Sequence, residues 1–464
     1  MINRLINIFK DNKDKIAYIN GNDQITYGEL LNKAIYYADI LKRQGNEPIA
    51  IYGHKSLSML IGIVSSLIAK RAYVILDISI PLERCEKIIK LTCASLVIKT
   101  EAIDDFSVPT RYLEDLKEYQ NLKIKENKNT TAYIIFTSGS TGEPKGVPIS
   151  YDNLINFINW ISSIFDTSNH LQVLNTANFN FDLSVADIFY SIYNGHTIHT
   201  FNKLDYYEVF NLIININMVV CTPSFIRLCL LNKEFNDKNY HQLKYIYSCG
   251  EKLDVKLAKT ILERFPEVKL FNAYGPTEAT SAVCGIFINK SMLNDKILPV
   301  GLISNAATKI TIENNEIVLK GDSVFDGYLN LQKNNCYKEN GINVYKTGDV
   351  GYIKNDMLYL TGRLDNQIKY RGYRIELEEI ENVLNEIDGV DCAIVVPIRD
   401  NEGIIKNLKC YVEGKANKEN ILVFLKKKLP DYMIPKTFVF LDKIPINENG
   451  KIDRKRMMAN DRCL

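Results

Sequence analysis

Apolar residues recur along this chain in two alternating patterns. Short apolar runs at 48–52, 72–76 and 132–136 have the length of buried strands. Between them stand helical patterns: an apolar helix at 57–69, a helix opened by Pro81-Leu-Glu-Arg84, and an amphipathic helix at 153–165. The last aligns Leu154, Phe157, Ile158, Ile161 and Phe165 on one face. Ser150 is placed to cap it, and Thr26-Tyr-Gly-Glu29 has the spacing of a capping box ahead of Leu30 and Leu31. At the N-terminus Ile2, Leu5, Ile6 and Phe9 fall at helical spacing among lysines and asparagines. Strand and helix alternating in this way predict α/β layers with mainly parallel sheets.

The pattern changes near residue 363. Residues 349–361 read as a hairpin with Lys354-Asn355-Asp356 at its tip. Beyond it a charged helix turns Leu377, Ile380, Leu384 and Ile387 inward, strands follow at 393–397 and 410–413, and a helix at 418–429. A chain of 464 residues is too long for one core. The expected organisation is a large N-terminal α/β domain of mixed sheets flanked by helices, 1–364, and a small mobile C-terminal α+β domain, 365–464.

Composition narrows the function classes. Apolar residues make up 46% and the net charge is only +2, which excludes a strongly basic nucleic-acid surface. The ten cysteines are scattered without a Cys-x-x-Cys pair, so reduced thiols and a cytoplasmic location are expected. The five histidines show no metal-ligand spacing, which disfavours catalysis by a metal-bound water. The N-terminal helix lacks the form of a signal peptide, and the longest apolar run, 57–69, is too short to span a bilayer. No membrane insertion is expected.

The segment with the most chemistry is Thr137-Ser138-Gly139-Ser140-Thr141-Gly142-Glu143-Pro144-Lys145-Gly146, directly after the apolar run at 132–136. Glycines let bare backbone approach an anion, hydroxyls and N–H groups donate to it, and Lys145 adds a cation. This suits a polyphosphate. It is not a Walker loop, because Pro144 precedes the lysine and Gly146 follows where Ser or Thr is needed for magnesium.

That loop is one of seven motifs in order. The others are Ala72-Tyr-Val-Ile-Leu-Asp77, Phe181-Asp-Leu-Ser-Val185, Asn272-Ala-Tyr-Gly-Pro-Thr-Glu278, Tyr345-Lys-Thr-Gly-Asp349, Gly362-Arg-Leu-Asp-Asn-Gln-Ile-Lys-Tyr-Arg-Gly372 and Asn449-Gly-Lys-Ile-Asp-Arg-Lys455. Together they resemble the adenylate-forming superfamily of acyl-CoA synthetases, luciferases and amino-acid adenylation domains, over nearly the whole chain. Phe181-Asp-Leu-Ser-Val185, Thr222-Pro-Ser-Phe-Ile226, and Ser248-Cys-Gly-Glu251 with Leu262-Glu-Arg-Phe-Pro266 are similar to amino-acid adenylation domains, and among these to D-alanine–carrier-protein ligases. The resemblance implies the adenylate-forming enzyme fold and two half-reactions. A carboxylate attacks the α-phosphate of ATP to give an acyl-adenylate and pyrophosphate. A carrier protein's phosphopantetheine thiol then captures the acyl group.

It also implies roles. Lys451 resembles the catalytic lysine that bridges carboxylate and phosphate, and fixed cations are the main resource for that charged transition state. Alone, Lys451 would read as one solvated lysine among several. Glu278 resembles the magnesium ligand, a hard oxygen donor of the right kind; the bland reading is a helix-capping glutamate. Thr277, Thr137 and Thr141 offer hydroxyls to phosphate, with Ser138, Gly139, Ser140, Gly142 and Lys145 around it. Tyr274 is expected to stack on adenine and Asn272 to bond its edge, with Ala273 and Gly250 alongside. Asp349 and Arg363 are expected on the ribose, although Gly348-Asp349 also favours a turn.

Asp182 matches the aspartate that holds the substrate's α-ammonium in amino-acid-activating members. Set among Phe179, Phe181, Leu183 and Val185, an unpaired acid is costly to bury. A helix N-cap is the alternative. Leu183, Ala186, Ser224, Tyr247, Cys249, Ala273, Ser281 and Ala282 fall at the remaining pocket positions. Cys249 matches a steric selector of enantiomer, and reads equally as a small buried hydrophobe. Ala186 stands where the D-alanine pattern has a larger, methionine-like residue and Ser281 where it has an aliphatic one. A roomier, more polar pocket follows, and a serine-like or larger substrate stays open. Asp365 sits at the hinge position, where rotation would exchange Lys451 for the Arg371-Gly372 loop.

The chain continues nine residues past Lys455, so a carrier protein acting in trans is expected. The leading reading is a ligase joining a small amino acid, D-alanine or similar, to a carrier protein, using ATP and Mg2+. The runner-up is a stand-alone nonribosomal-peptide adenylation enzyme for another amino acid. An acyl-CoA synthetase has no need of Asp182, and a non-catalytic nucleotide sensor would not require Lys451, Glu278 and Asp349 together.

Overall fold

The computed structural model describes residues 1–119, 123, 129–139, 143–165, 167–201, 206–329, 335–400, 402–445, 454 and 457, without the side chains of 206–208. The chain divides into two compact units. The first comprises Met1–Ile78, Ile89–Phe136 and Gly146–Leu364; the second comprises Ser79–Ile88, Thr137–Lys145 and Asp365–Leu464.

Three sheets build the first unit. In the eight-stranded sheet the order is Cys284–Phe287, Lys269–Tyr274, Tyr245–Ser248, Met218–Cys221, Gln172–Asn175, Thr197–Thr200, Ile16–Asn20 and Asp23–Thr26. Its interior pairs are parallel and its two edge pairs antiparallel. A six-stranded sheet runs Thr110–Tyr112, Leu96–Lys99, Ile49–Gly53, Tyr73–Asp77, Thr131–Thr137 and Lys145–Ser150, with its first five strands parallel. The third sheet, also six-stranded and lying between Gly301 and Arg363, has antiparallel pairs.

Helix Leu57–Ile68 touches strands of the eight-stranded sheet and of the parallel six-stranded sheet, which is why it is apolar on every side: Met59, Ile61, Ile63, Val64 and Leu67 are all buried. Ser56 caps it by accepting the Met59 N–H. Helix Tyr27–Gln44 carries the Thr26–Glu29 capping box, and helix Tyr151–Ile164 a second box in which Ser150 and Asn153 satisfy each other.

The second unit holds the hairpin Ile368–Tyr370 with Tyr373–Ile375, the helices Leu377–Asn385 and Lys418–Lys428, and a sheet of Val390–Arg399, Ile405–Gly414 and Thr437–Leu441. Ile380, Leu384, Val395, Val412, Ile421 and Leu425 pack its core.

The sequence reading of mainly parallel sheets holds for two sheets and misses the antiparallel third. Of that sheet it recovers one hairpin, Ile342–Lys354 with Met357–Arg363, whose turn residues Asn355 and Asp356 both have positive φ. Thr437–Leu441 was also missed; none of its residues is fully buried, so no run of core positions marks it. Among the described residues no helix is long and apolar enough to cross a membrane.

One buried histidine makes stability sensitive to acid. His199, on Thr197–Thr200, lies 2.6 Å from Gln172 Oε1, and burial pulls its imidazole down from 6.5 to about 4. The unfolded chain therefore binds a proton that the folded chain refuses. The stabilisation is complete above pH 6.5 and is lost as pH falls through about 4, up to about 3 kcal/mol. Urea titrations between neutral pH and about pH 4.5 should show a smaller acid loss in His199→Gln than in the parent. Equal losses would remove His199 from the account.

Candidate active site

Four neighbouring parallel strands of the eight-stranded sheet deliver most of the candidate residues from their carboxyl ends, the edge at which open α/β sheets bind ligands. After Gln172–Asn175 comes the segment to Asp182; after Met218–Cys221, Ser224; after Tyr245–Ser248, Cys249 and Gly250. Lys269–Tyr274 itself carries Asn272, Ala273 and Tyr274, and the turn with Thr277 and Glu278 follows it.

Asp182 precedes helix Leu183–Asn194 but makes no side-chain capping bond. Its Oδ2 instead accepts the Thr277 hydroxyl at 2.5 Å. Thr277, expected on phosphate, thus directs its proton to the proposed ammonium ligand. The residues expected to wall the pocket around Asp182 are apolar with buried hydroxyls. Leu183, Ala186, Ala273 and Ala282 are buried, and Cys249 is 5% exposed. Tyr247 OH and Ser281 Oγ are buried without a hydrogen-bond partner. Burial pushes the Tyr247 phenol well above its usual range, and the neighbouring Cys249 and Asp182 add to this. Half-buried Ser224 receives the Glu251 carboxylate on its N–H at 2.9 Å. Gly250 has φ +87°.

The turn beside this wall is unusual. Thr280 and Ser281 are both left-handed, at φ 61° and 71°, and Thr280 Oγ1 is tied to the Ser323 carbonyl at 3.0 Å. Gly275 is required there, since a Cβ would lie 2.4 Å from Ala282 Cα.

Glu278 is fully buried, and Tyr328 OH donates to its Oε1 at 2.5 Å. Among the described residues no group of three or more His, Cys, Asp or Glu could hold a metal. A single carboxylate suits magnesium, which takes most of its ligands from phosphates and water.

Asp349 is 6% exposed. Its Oδ2 accepts Tyr274 OH at 2.7 Å and its Oδ1 accepts Arg363 Nη1 at 2.5 Å; Arg363 Nη2 also reaches the Thr347 carbonyl at 3.2 Å. Each carboxylate oxygen retains a lone pair for a further donor. The carboxylate pushes the already buried Tyr274 phenol further up. Arg363 therefore holds Asp349 directly. Asn272 gives its amide to the Pro299 carbonyl at 2.8 Å.

In the second unit, Thr137 Oγ1 is buried without a hydrogen-bond partner. Ser138 Oγ donates to the Arg374 carbonyl at 2.9 Å and accepts the Glu376 N–H at 3.0 Å. Gly139 N–H donates to Glu379 Oε2 at 3.0 Å, and Lys145 Nζ lies 3.8 Å from Glu376 Oε1. Loop donors expected to face phosphate are in this structure directed at carboxylates and backbone of the 374–379 segment. Asp365 is exposed, and its Oδ1 accepts the Gln367 N–H at 3.2 Å. Gly372 and Arg371 both have positive φ. Ser140, Thr141, Gly142 and Lys451 lie outside the described residues.

Two contributions escaped the sequence reading. Tyr328 on Glu278 carries no motif signal. A buried polar group behind the Asp182 segment, formed by Lys55, Asp77, Asn175 and Asp187, had one visible sign: Asp77 closes an ordered motif to which no role was given.

Residues 7–329 match the model of the AMP-binding enzyme family and 379–451 that of the AMP-binding enzyme C-terminal domain. The chain belongs to this family of adenylate-forming enzymes. It is 37% identical over 478 aligned positions to a D-alanine–D-alanyl carrier protein ligase of Staphylococcus aureus, covering 98% of each chain. Among solved structures it is similar to the Vibrio cholerae adenylation domain AlmE in complex with glycyl-adenosine-5'-phosphate, at 24% identity and TM-score 0.86 over 100% of this chain and 97% of that one. It is also similar to o-succinylbenzoate CoA synthetase of Bacillus subtilis, at 21% identity and TM-score 0.85 over 98% of each.

The Arg363–Asp349 pair is buried enough to matter for stability. Arg363→Gln should lower the unfolding free energy by about 2 kcal/mol, because it strands a buried carboxylate. Chemical denaturation of the two proteins checks this, and a difference below about 0.5 kcal/mol would show the pair behaving as an exposed one.

Proposed function

We propose that the protein activates D-alanine, or an amino acid of similar size, as aminoacyl-AMP and passes it to the phosphopantetheine thiol of a carrier protein. The observation that carries this reading is the Asp182 carboxylate, which accepts the Thr277 hydroxyl and does not cap its own helix. A bound α-ammonium would place an opposite charge beside that carboxylate. The small residues Ala186, Cys249 and Ala282 favour a short substrate side chain, and the curated relative's name points the same way. Unpartnered Tyr247 and Ser281 hydroxyls favour a second reading, a small polar amino acid such as serine.

ATP fits the remaining residues. Thr137 has an unpartnered buried hydroxyl for a phosphate oxygen, with Ser138, Gly139, Ser140, Thr141, Gly142 and Lys145 in the same loop. Tyr274, Asn272, Ala273 and Gly250 are assigned to the base, and Asp349 with Arg363 to the ribose. Glu278 would hold Mg2+, which would neutralise charge on the phosphates. Lys451 is assigned to the oxyanion that develops as the substrate carboxylate attacks the α-phosphate. The chain is proposed to comprise a nucleotide-binding N-terminal domain, 1–364, and a mobile C-terminal domain, 365–464; the compact units differ from these in that Ser79–Ile88 and Thr137–Lys145 group with the second. Asp365 is the proposed hinge. Nine free thiols among the described residues support a cytoplasmic location.

ATP–pyrophosphate exchange across amino acids of both hands tests the reading. D-Alanine should give the highest rate, and D-serine in its place would establish the second reading. Lys451→Ala should lower exchange on the order of 10²–10³-fold; undiminished exchange would sink the mechanism. Asp365→Pro should leave exchange nearly intact and slow transfer to the carrier. Loss of both half-reactions together would refute the hinge.

A further inference from the structure

The segment 176–182, which presents Asp182, is tied to its surroundings from behind at two points, both in the first unit. Strands Ile49–Gly53 and Tyr73–Asp77 are parallel neighbours, and their register sets Gly53 opposite Asp77. The chain leaves the first strand through His54 and Lys55, and Lys55 takes the left-handed conformation at φ 43°. Its carbonyl accepts Tyr18 OH at 2.5 Å and Asn20 Nδ2 at 2.6 Å, which fixes the backbone turn. The Lys55 ammonium then donates to the Thr176 carbonyl at 3.1 Å and sits 4.6 Å from the Phe201 ring centroid.

Asp77 supplies the second point. It is 1% exposed. Its Oδ2 lies 2.8 Å from His54 Nδ1, and its Oδ1 accepts Asn178 Nδ2 at 3.4 Å. Thr176 is held on its other side through Oγ1 to the Val220 carbonyl at 2.8 Å. From Asn178 the chain turns tightly: Phe181 N–H donates to the Asn178 carbonyl at 3.0 Å, and Ser184 Oγ to the Phe181 carbonyl at 2.6 Å. Asp182 lies within the second of these turns.

A buried ammonium and a buried carboxylate are expensive ways to fill space. Apolar residues of equal volume are often neutral or stabilising in such places. Burial lowers the Lys55 ammonium to about 8, with Asp187 and Asp77 acting against the shift. Simple packing therefore does not explain why these groups are charged, whereas their reach to Thr176 and Asn178 does.

We propose that Lys55 and Asp77 are positioning residues for amino-acid recognition, pinning 176–182 so that Asp182 meets Thr277 and faces the substrate ammonium. This rests on the reading of Asp182 given above. Both side chains are buried and act through Thr176 and Asn178, so their loss should act on amino-acid binding and spare ATP.

The test measures KM for D-alanine and for ATP by pyrophosphate exchange in the full chain. Variants are Asn178→Ala, Asp77→Asn, Lys55→Met and the exchange Asp77→Asn with Asn178→Asp. Each single change should raise the amino-acid KM about ten-fold, with the ATP KM within about two-fold. The double exchange restores a carboxylate–amide pair and should recover most of the loss. Asn178 is only half-buried, so Asn178→Ala decides the matter if Lys55→Met fails to fold. An unchanged amino-acid KM in Asn178→Ala and Asp77→Asn, or equal rises in both KM values, overturns the proposal. Asp182→Asn is measured alongside. If it leaves the amino-acid KM unchanged, the reading of Asp182 fails; if it raises that KM while Asn178→Ala does not, only the positioning role fails.

Discussion

The Asp182–Thr277 hydrogen bond joins two strand ends that would otherwise be independent. Asp182 follows Gln172–Asn175, and Thr277 follows Lys269–Tyr274; between those strands lie two others. The bond closes this span at the rim of the sheet. Thr277 is also the neighbour of Glu278, whose carboxyl is fully buried against Tyr328. A displacement of either carboxylate is therefore felt by the other through one short turn. On the proposed reading this couples the amino-acid and phosphate ends of the reaction: the group that holds the ammonium and the group that holds the metal move as one piece.

The rest of the first unit serves that rim. Parallel strands place successive loops side by side without long excursions, and the helix Leu57–Ile68 fills the space between two sheets. Buried polar groups appear where a loop must be fixed instead of merely packed. Asn175 donates to both oxygens of Asp187, at 3.0 and 2.9 Å, at the base of the same segment that Lys55 and Asp77 hold. Low local dielectric makes such bonds strong and makes their loss costly.

Much of this was legible in the sequence because the chemistry is local. Phosphate loops need glycines and hydroxyls in succession, capping boxes need a fixed spacing, and a core helix needs an unbroken apolar run. The Thr26–Glu29 box and helix Leu57–Ile68 were read from such patterns. Asp182 could be singled out by the mismatch between an acid and its apolar neighbours. What could not be read is contact across long separations. Nothing in Thr277 announces that its proton goes to a residue 95 positions earlier, and nothing near Tyr328 points to Glu278. Asp77 could be seen as part of a motif, but its task depends on Asn178, 101 positions away. Apart from its one recovered hairpin, the antiparallel third sheet was missed for a related reason: its other strands are two to five residues long, and their identity comes from their partners.

The consecutive left-handed residues Thr280 and Ser281 carry a further consequence. A β-branched residue resists that conformation, at a cost of order 1–3 kcal/mol, and here it is held in place by Ser323 and by the close fit of Gly275 on Ala282. Exchanging either residue for asparagine or glycine would relax the backbone, and at Thr280 would also remove the buried bond to Ser323. On the proposed reading, the same exchange would free residues expected at the amino-acid pocket to adopt other shapes. On the proposed reading, selectivity among similar substrates would be stored partly as main-chain tension.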